Sequence, residues 1–169
     1  AGVLTNSPTY DWHLNNVRNY LSLTATAPQA AVINGTNVTE IGQGGGVVGL
    51  SADYTPPARF LRQTYLRQFA YKANNGTDAL QLAGHLLNNV DIPVGVARST
   101  DGKNTVSDFT QWVNLKDLKN NRMKITNYAN RTNFIEIDLN QVFKSGKSKV
   151  WLIDKLPYPK NDLTAELLK

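Results

Sequence analysis

Apolar residues recur at helical spacing in the first half of the chain and at alternating spacing in the second. Gly2 to Asn6 read as a short strand that ends in an Asn-Ser-Pro turn, where Ser7 or Thr9 can cap a helix. Tyr10, Leu14, Val17 and Leu21 then fall on one stripe, which predicts an amphipathic helix over 10–22 with Asp11 and His13 off the stripe. Thr55-Pro56-Pro57 opens a second helix, since Thr caps well and Pro suits the first turn. Ala58, Leu61, Tyr65 and Phe69 carry that helix to about 72, with Arg59, Arg62 and Gln63 beside the stripe. After a turn at Asn74-Asn75-Gly76-Thr77, a third helix covers about 78–89 and contains His85. Beyond Gly102 the period becomes two. Phe109, Gln111 and Val113 alternate with Thr110, Trp112 and Asn114, and a turn is expected over 115–121. Met123, Ile125 and Asn127 alternate in turn with Lys124, Thr126 and Tyr128, and Phe134, Ile135 and Ile137 mark a third strand. These strands predict an antiparallel meander, followed by a helical turn at 139–144 and a last short strand at Val150 to Ile153. Helices followed by strands predict the α+β class with segregated layers. No internal repeat and no domain linker is visible.

Residues 24–46 fit neither period. Ala27-Pro28-Gln29, Asn34-Gly35 and Gly42-Gln43-Gly44-Gly45-Gly46 predict a long loop with one short strand. Loops of this length in a folded domain usually make contacts or carry function. The glycine run is no phosphate loop, because no Gly-Lys-Ser/Thr ending follows it.

Composition narrows the chemistry. The chain has 169 residues, 41% of them hydrophobic and 18% charged, enough for one domain with its own core. No apolar run is long enough to span a membrane. There is no cysteine, so these residues offer no disulfide, thiolate metal site or thiol nucleophile. Two histidines without partner ligands make no metal site, and no cofactor is expected. The formal charge of +5 is spread over Arg59, Arg62 and Arg67, over Lys116 to Lys124, and over Lys144 to Lys149. Without a nucleic-acid signature beside it, this spread reads as a solvated basic surface. The start Ala1-Gly2-Val3-Leu4-Thr5 lacks the basic region of a signal peptide and reads as that of a cut or processed polypeptide.

Two blocks carry more than their periodicity. One runs Val3-Leu4-Thr5-Asn6-Ser7-Pro8-Thr9-Tyr10-Asp11-Trp12-His13; the other is Ile41 to Leu50 followed by Asp53-Tyr54-Thr55-Pro56-Pro57-Ala58-Arg59-Phe60-Leu61-Arg62. Taken singly, Asn6 is a turn residue and Arg59 one more charge on a basic helix. In this order and at this separation the blocks resemble the choloylglycine hydrolase family, which includes penicillin V acylases and conjugated bile salt hydrolases. Phe109-Thr110-Gln111-Trp112 and Asn133 to Leu139 resemble family strands more loosely.

The resemblance implies the second half of an N-terminal nucleophile hydrolase with a four-layer αββα fold. It implies that 1–169 are the C-terminal portion of a single such domain. In that family an amino-terminal cysteine attacks a linear amide and passes through an acyl thioester. Asn6 matches the family's oxyanion-hole asparagine, and Arg59 the arginine near the nucleophile. The nucleophile itself belongs to an N-terminal portion, which is then the expected partner, and the chain alone is expected to be inactive. The expected substrate is a small N-acyl amide such as penicillin V or a bile-salt conjugate. Neither nucleic acid nor membrane is an expected partner. The 24–46 loop resembles the segment that family tetramers use in assembly, which implies a homo-oligomer. Asp117-Leu118-Lys119-Asn120 resembles Gram-negative members and so implies the periplasm, with the cytoplasm as the alternative. A non-catalytic binding or structural domain of the same descent is the alternative function.

Overall fold

Thr55 starts the longest helix. Its backbone is extended (φ −64°, ψ 154°), its hydroxyl accepts from the Ala58 N–H at 3.5 Å, and Pro56 occupies the first helical position. This helix, α2 (Pro56–Phe69), organises the first of two units in the computed structural model, which describes residues 2–159 and 164–167. The first unit is Ala1–Asn75 with Gln81–Ile92, and the second is Gly76–Leu80 with Pro93–Lys169.

In the first unit, Leu61 and Tyr65 of α2 pack with Leu23, and Val17, Tyr20, Leu50 and Phe69 close over them. The Tyr65 hydroxyl donates to the Tyr20 carbonyl at 2.8 Å, so the ring is buried without orphaning its oxygen. The Gln63 side chain donates to the Leu86 carbonyl of α3 (Gly76–Asn88) at 2.5 Å.

Four expectations change here. Residues 2–6 form no strand: among the described residues no neighbouring strand pairs with them, and an extended segment without a ladder partner is not a sheet element. Helix α1 (Tyr10–Val17) ends earlier than expected and continues as one 3₁₀ turn at Arg18–Tyr20. Its anticipated apolar stripe is only in part its inner face: Val17 packs on the core, whereas Tyr10, Leu14 and Leu21 are exposed and His13 is the buried residue. The 24–46 loop contains two strands rather than one, β1 (Ala31–Ile33) and β2 (Thr36–Val38), paired antiparallel around Asn34-Gly35.

The second unit opens with a hairpin that the alternation did not reveal, β3 (Ala97–Thr100) paired with β4 (Thr105–Asp108). The expected meander follows as β5 (Trp112–Asp117), β6 (Arg122–Asn127) and β7 (Ile135–Asp138), in that order and antiparallel. Trp112 lies opposite Asn127, and Ile125 opposite Ile135. Val113 and Leu115 are buried while Trp112 and Lys116 face solvent, as a half-covered strand requires. Strand β5 runs on to Asp117, so the turn is shorter than the sequence implied. Helix α4 (Leu139–Ser145) is capped by Asp138, which accepts from the Gln141 N–H. A last helical turn, α5, spans Thr164–Leu167.

The strand expected at Val150 to Ile153 is absent. Side-chain bonds hold this stretch instead of a ladder. Asn127 donates its side-chain amide to the Ile153 carbonyl at 2.8 Å, and its backbone N–H to the Tyr158 hydroxyl at 2.7 Å. Ile153–Lys155 accordingly form a 3₁₀ turn.

Candidate active site

Asn6 and Arg59 lie 53 positions apart in the chain and meet in the first unit. Arg59 sits in the first turn of α2, where its backbone N–H bonds the Thr55 carbonyl at 3.0 Å. Its Nε donates to the Tyr54 carbonyl at 3.1 Å, and its Nη2 donates to Asn6 Oδ1 at 2.8 Å. A guanidinium carries donors only, so the amide oxygen of Asn6 must be the atom that faces it. The Asn6 NH₂ is therefore turned away from the arginine. Asn6 is exposed and Arg59 half-buried, so the pair lies at a surface.

The segment that carries Asn6 is irregular, with a cis Ser7–Pro8 peptide just after it. A side chain rather than a ladder ties it down: Thr5 Oγ1 and His13 Nε2 are 2.9 Å apart. The His13 ring stacks on Phe60, with centroids 4.4 Å apart and planes 11° from parallel. His13 is only 1% exposed.

Arg62 was expected on the basic surface beside Arg59, and the structure buries it. Its Nη1 donates to the carbonyls of Ser51 and Asp53 at 3.1 and 2.8 Å, and its guanidinium lies 6.0 Å from the Tyr54 ring centre. Burial lowers its pKa from the ordinary guanidinium value, and the Asp53 carboxylate offsets part of that. Arg62 thereby folds the 51–54 loop back onto α2, and that loop presents the Tyr54 carbonyl to Arg59. Sequence reasoning passed over Thr5, His13 and Arg62. One usable signal was there: residues three apart share a helix face, which puts Arg62 with Arg59.

The arrangement couples a fixed cation to an amide whose donor end is oriented, a pairing suited to an oxygen that gains negative charge. No group of three or more His, Cys, Asp or Glu among the described residues is placed to hold a metal. No helix among the described residues is long and apolar enough to cross a membrane. A cavity of about 790 Å³ lies among residues 25–44, and one of about 280 Å³ lies between Phe109, Tyr128 and Ile153. Neither is lined by Asn6 or Arg59.

Known proteins resemble the chain over most of its length. A model of the linear amide C–N hydrolases of the choloylglycine hydrolase family matches residues 1–144. The chain is 37% identical to a bile salt hydrolase/transferase of Clostridium perfringens over 142 residues, which are 83% of this chain and 41% of that protein. It is 44% identical to a conjugated bile acid hydrolase of Lactobacillus acidophilus over 66 residues, which are 39% of this chain and 21% of that protein. Among solved structures, a cysteine-to-alanine mutant of the conjugated bile acid hydrolase of Clostridium perfringens superposes with a TM-score of 0.70 at 34% identity. That match covers 82% of this chain and 41% of the mutant. The expected α+β class within the N-terminal nucleophile hydrolase fold agrees with this neighbour and with the helices and antiparallel sheets described above. The chain spans about two fifths of the length of the Clostridium proteins it matches.

Proposed function

This chain belongs to the choloylglycine hydrolase family of linear amide C–N hydrolases, and from that premise we propose that it is the C-terminal portion of an amidase whose nucleophile is an amino-terminal cysteine. The cysteine lies on an N-terminal portion, joined covalently or supplied as a second chain, because these 169 residues contain none. The α-amine of that cysteine takes the thiol proton, and the resulting thiolate attacks the amide carbonyl. A free α-amine has a pKa of about 7.7–8.0, well placed for a base near neutrality. The carbonyl oxygen becomes an oxyanion that the Asn6 NH₂ holds. Collapse breaks the C–N bond, the amine leaves with the proton, and an acyl thioester remains. Water then attacks the thioester, giving the carboxylic acid and restoring the thiol. Arg59 serves twice, favouring the thiolate by its charge and fixing the Asn6 amide by its hydrogen bond.

The Arg59 Nη2 to Asn6 Oδ1 bond carries this reading, since it commits the acceptor end of the amide and leaves the donor end for substrate. The names of the relatives make conjugated bile salts the first substrates to test; penicillin V, which only the family resemblance suggests, comes next. Assembly into a homo-oligomer through the 31–38 hairpin is part of the proposal. Both its strands are exposed along their length, and Val32, Ile33 and Val38 leave apolar surface on them. An isolated two-stranded hairpin is marginal in water.

The test uses the chain together with its N-terminal portion. Amine release from a conjugated bile salt is expected, and thiol alkylation should abolish it. Asn6→Ala should lower kcat about 10²- to 10³-fold, the usual cost of one oxyanion donor. Full turnover by Asn6→Ala would remove the oxyanion role, and turnover that survives alkylation would remove the cysteine mechanism. The absence of cysteine favours a second reading, a non-catalytic binding domain of the same descent. Binding of bile salts with no thiol-dependent turnover in the complete protein would establish it.

A further inference from the structure

We propose that His13 is a positioning residue that sets the orientation of the Asn6 amide through Thr5; as a statement about catalysis this rests on the reading of Asn6 given above. The backbone from Gly2 to Ser7 belongs to no helix or strand, so a ladder does not locate Asn6. Thr5 directly precedes Asn6, and its hydroxyl lies 2.9 Å from His13 Nε2. His13 is itself held hard. It is the buried residue of α1, its backbone N–H bonds the Thr9 carbonyl at 3.2 Å, and its ring lies flat on Phe60 at 4.4 Å with the Trp12 ring edge-on. Phe60 directly follows Arg59 on α2. One imidazole thus touches the residue before Asn6 and the residue after Arg59. The 2.8 Å bond between Asn6 and Arg59 then spans two anchors that His13 holds in common.

A buried histidine that only filled space would contribute to stability and leave the amide's direction alone. The two roles separate in Thr5→Val, which keeps the shape of the side chain and removes the hydroxyl. In the complete protein, Thr5→Val should lower kcat about 10- to 100-fold at nearly constant KM, the scale of loss that follows a misplacement near 1 Å. Its melting temperature should fall by a few degrees, because the buried His13 Nε2 loses its partner, and that fall with kcat unchanged would mark a merely structural role. Thr5→Ser, which keeps the hydroxyl, should restore turnover. His13→Phe keeps the stack on Phe60 without the bond, and combining it with Thr5→Val should cost no more than either change alone.

A second readout does not depend on turnover. The side-chain ¹⁵N signals of Asn6, identified by their loss in Asn6→Ala, should shift and broaden in Thr5→Val. If they stay unchanged, or if Thr5→Val turns over at the wild-type rate, the positioning role is wrong. If the wild type hydrolyses no amide while those signals still respond to Thr5→Val, the functional reading fails and the positioning stands.

Discussion

Arg59 makes two bonds from two nitrogens that point in different directions, Nε to the Tyr54 carbonyl and Nη2 to Asn6 Oδ1. A lysine has one nitrogen on a flexible stem and cannot hold both acceptors in one geometry. Arg59→Lys therefore keeps the charge and loses one anchor. Hydrogen bonds to charged groups contribute about 1.5–3 kcal/mol, so kcat/KM of the complete protein should fall by roughly tenfold or more. Retention of the wild-type kcat/KM would show that charge alone matters here. The sequence singled out Arg59 and Asn6 only through their resemblance to a family, since neither residue type is unusual where it stands. His13 was not legible as a core residue. Its neighbours Tyr10 and Leu14 set the apparent stripe, and the structure leaves both of them exposed. Arg62 was missed because charge counts as a surface signal, whereas carbonyls of its own chain can satisfy part of a buried guanidinium.

Among the elements, α2 was the most legible, because its cap, its proline and its stripe all agree and the structure starts it where they say. Helix α3 and the β5–β6–β7 meander were legible from their periods, although β5 runs through residues 115–117, which the turn residues had claimed. The 24–46 loop was half legible. Asn34 and Gly35 both adopt positive φ, 48° and 77°, the geometry of a tight hairpin turn, and Asn-Gly is its sequence signal. The flanking strands have three residues each, too few to show alternation. This loop is closed at its neck, where the Thr24 N–H bonds the Gly46 carbonyl at 3.0 Å. A Cβ on Gly46 would collide with the carbonyl oxygens of both Thr24 and Thr26, which are backbone atoms unable to step aside alone. Gly46→Ala should therefore spread the neck, speed proteolytic cutting within 24–46 and lower the melting temperature. Gly42, whose Cβ would meet nothing, is the control: Gly42→Ala should change neither. Equal proteolysis of the two variants would count against a closed neck.

At the scale of the whole chain, the class was legible because helical and alternating periods occupy different halves, and the second half shows where that reading stops. The 97–108 hairpin was missed since Arg98, Ser99, Thr105 and Ser107 supply no apolar alternation. The 150–153 segment was misread since an apolar run predicts burial, not the ladder partner that a strand needs. Charge adds a property that belongs to the chain as a whole. Among the described residues, five carboxyls have pKa values lowered by folding: Asp53 mainly by the Thr55 hydroxyl, Asp101 by the Asn104 N–H, Asp117 by the Asn120 side chain, Glu136 by Arg122 and Asp138 by the Gln141 N–H. Each binds its proton more readily when unfolded, so all five act with one sign. Their stabilisation is fully present above the unfolded values, about 3.9 for Asp and 4.3 for Glu. It is lost as pH falls through the lower folded values, while protonation also adds to a charge that is already +5 at pH 7. The melting temperature should thus change little on their account between pH 7 and about 5, and fall steeply below about 4. Salt should blunt the share of Glu136, which pairs with Arg122 and with Lys124 at 3.4 Å, more than that of Asp101 or Asp138, whose main partners are backbone N–H groups. Calorimetry from pH 7 to 2.5 at low and high salt checks both statements, and a melting temperature that holds level through pH 3 would mean that these carboxyl bonds contribute nothing to the folded state.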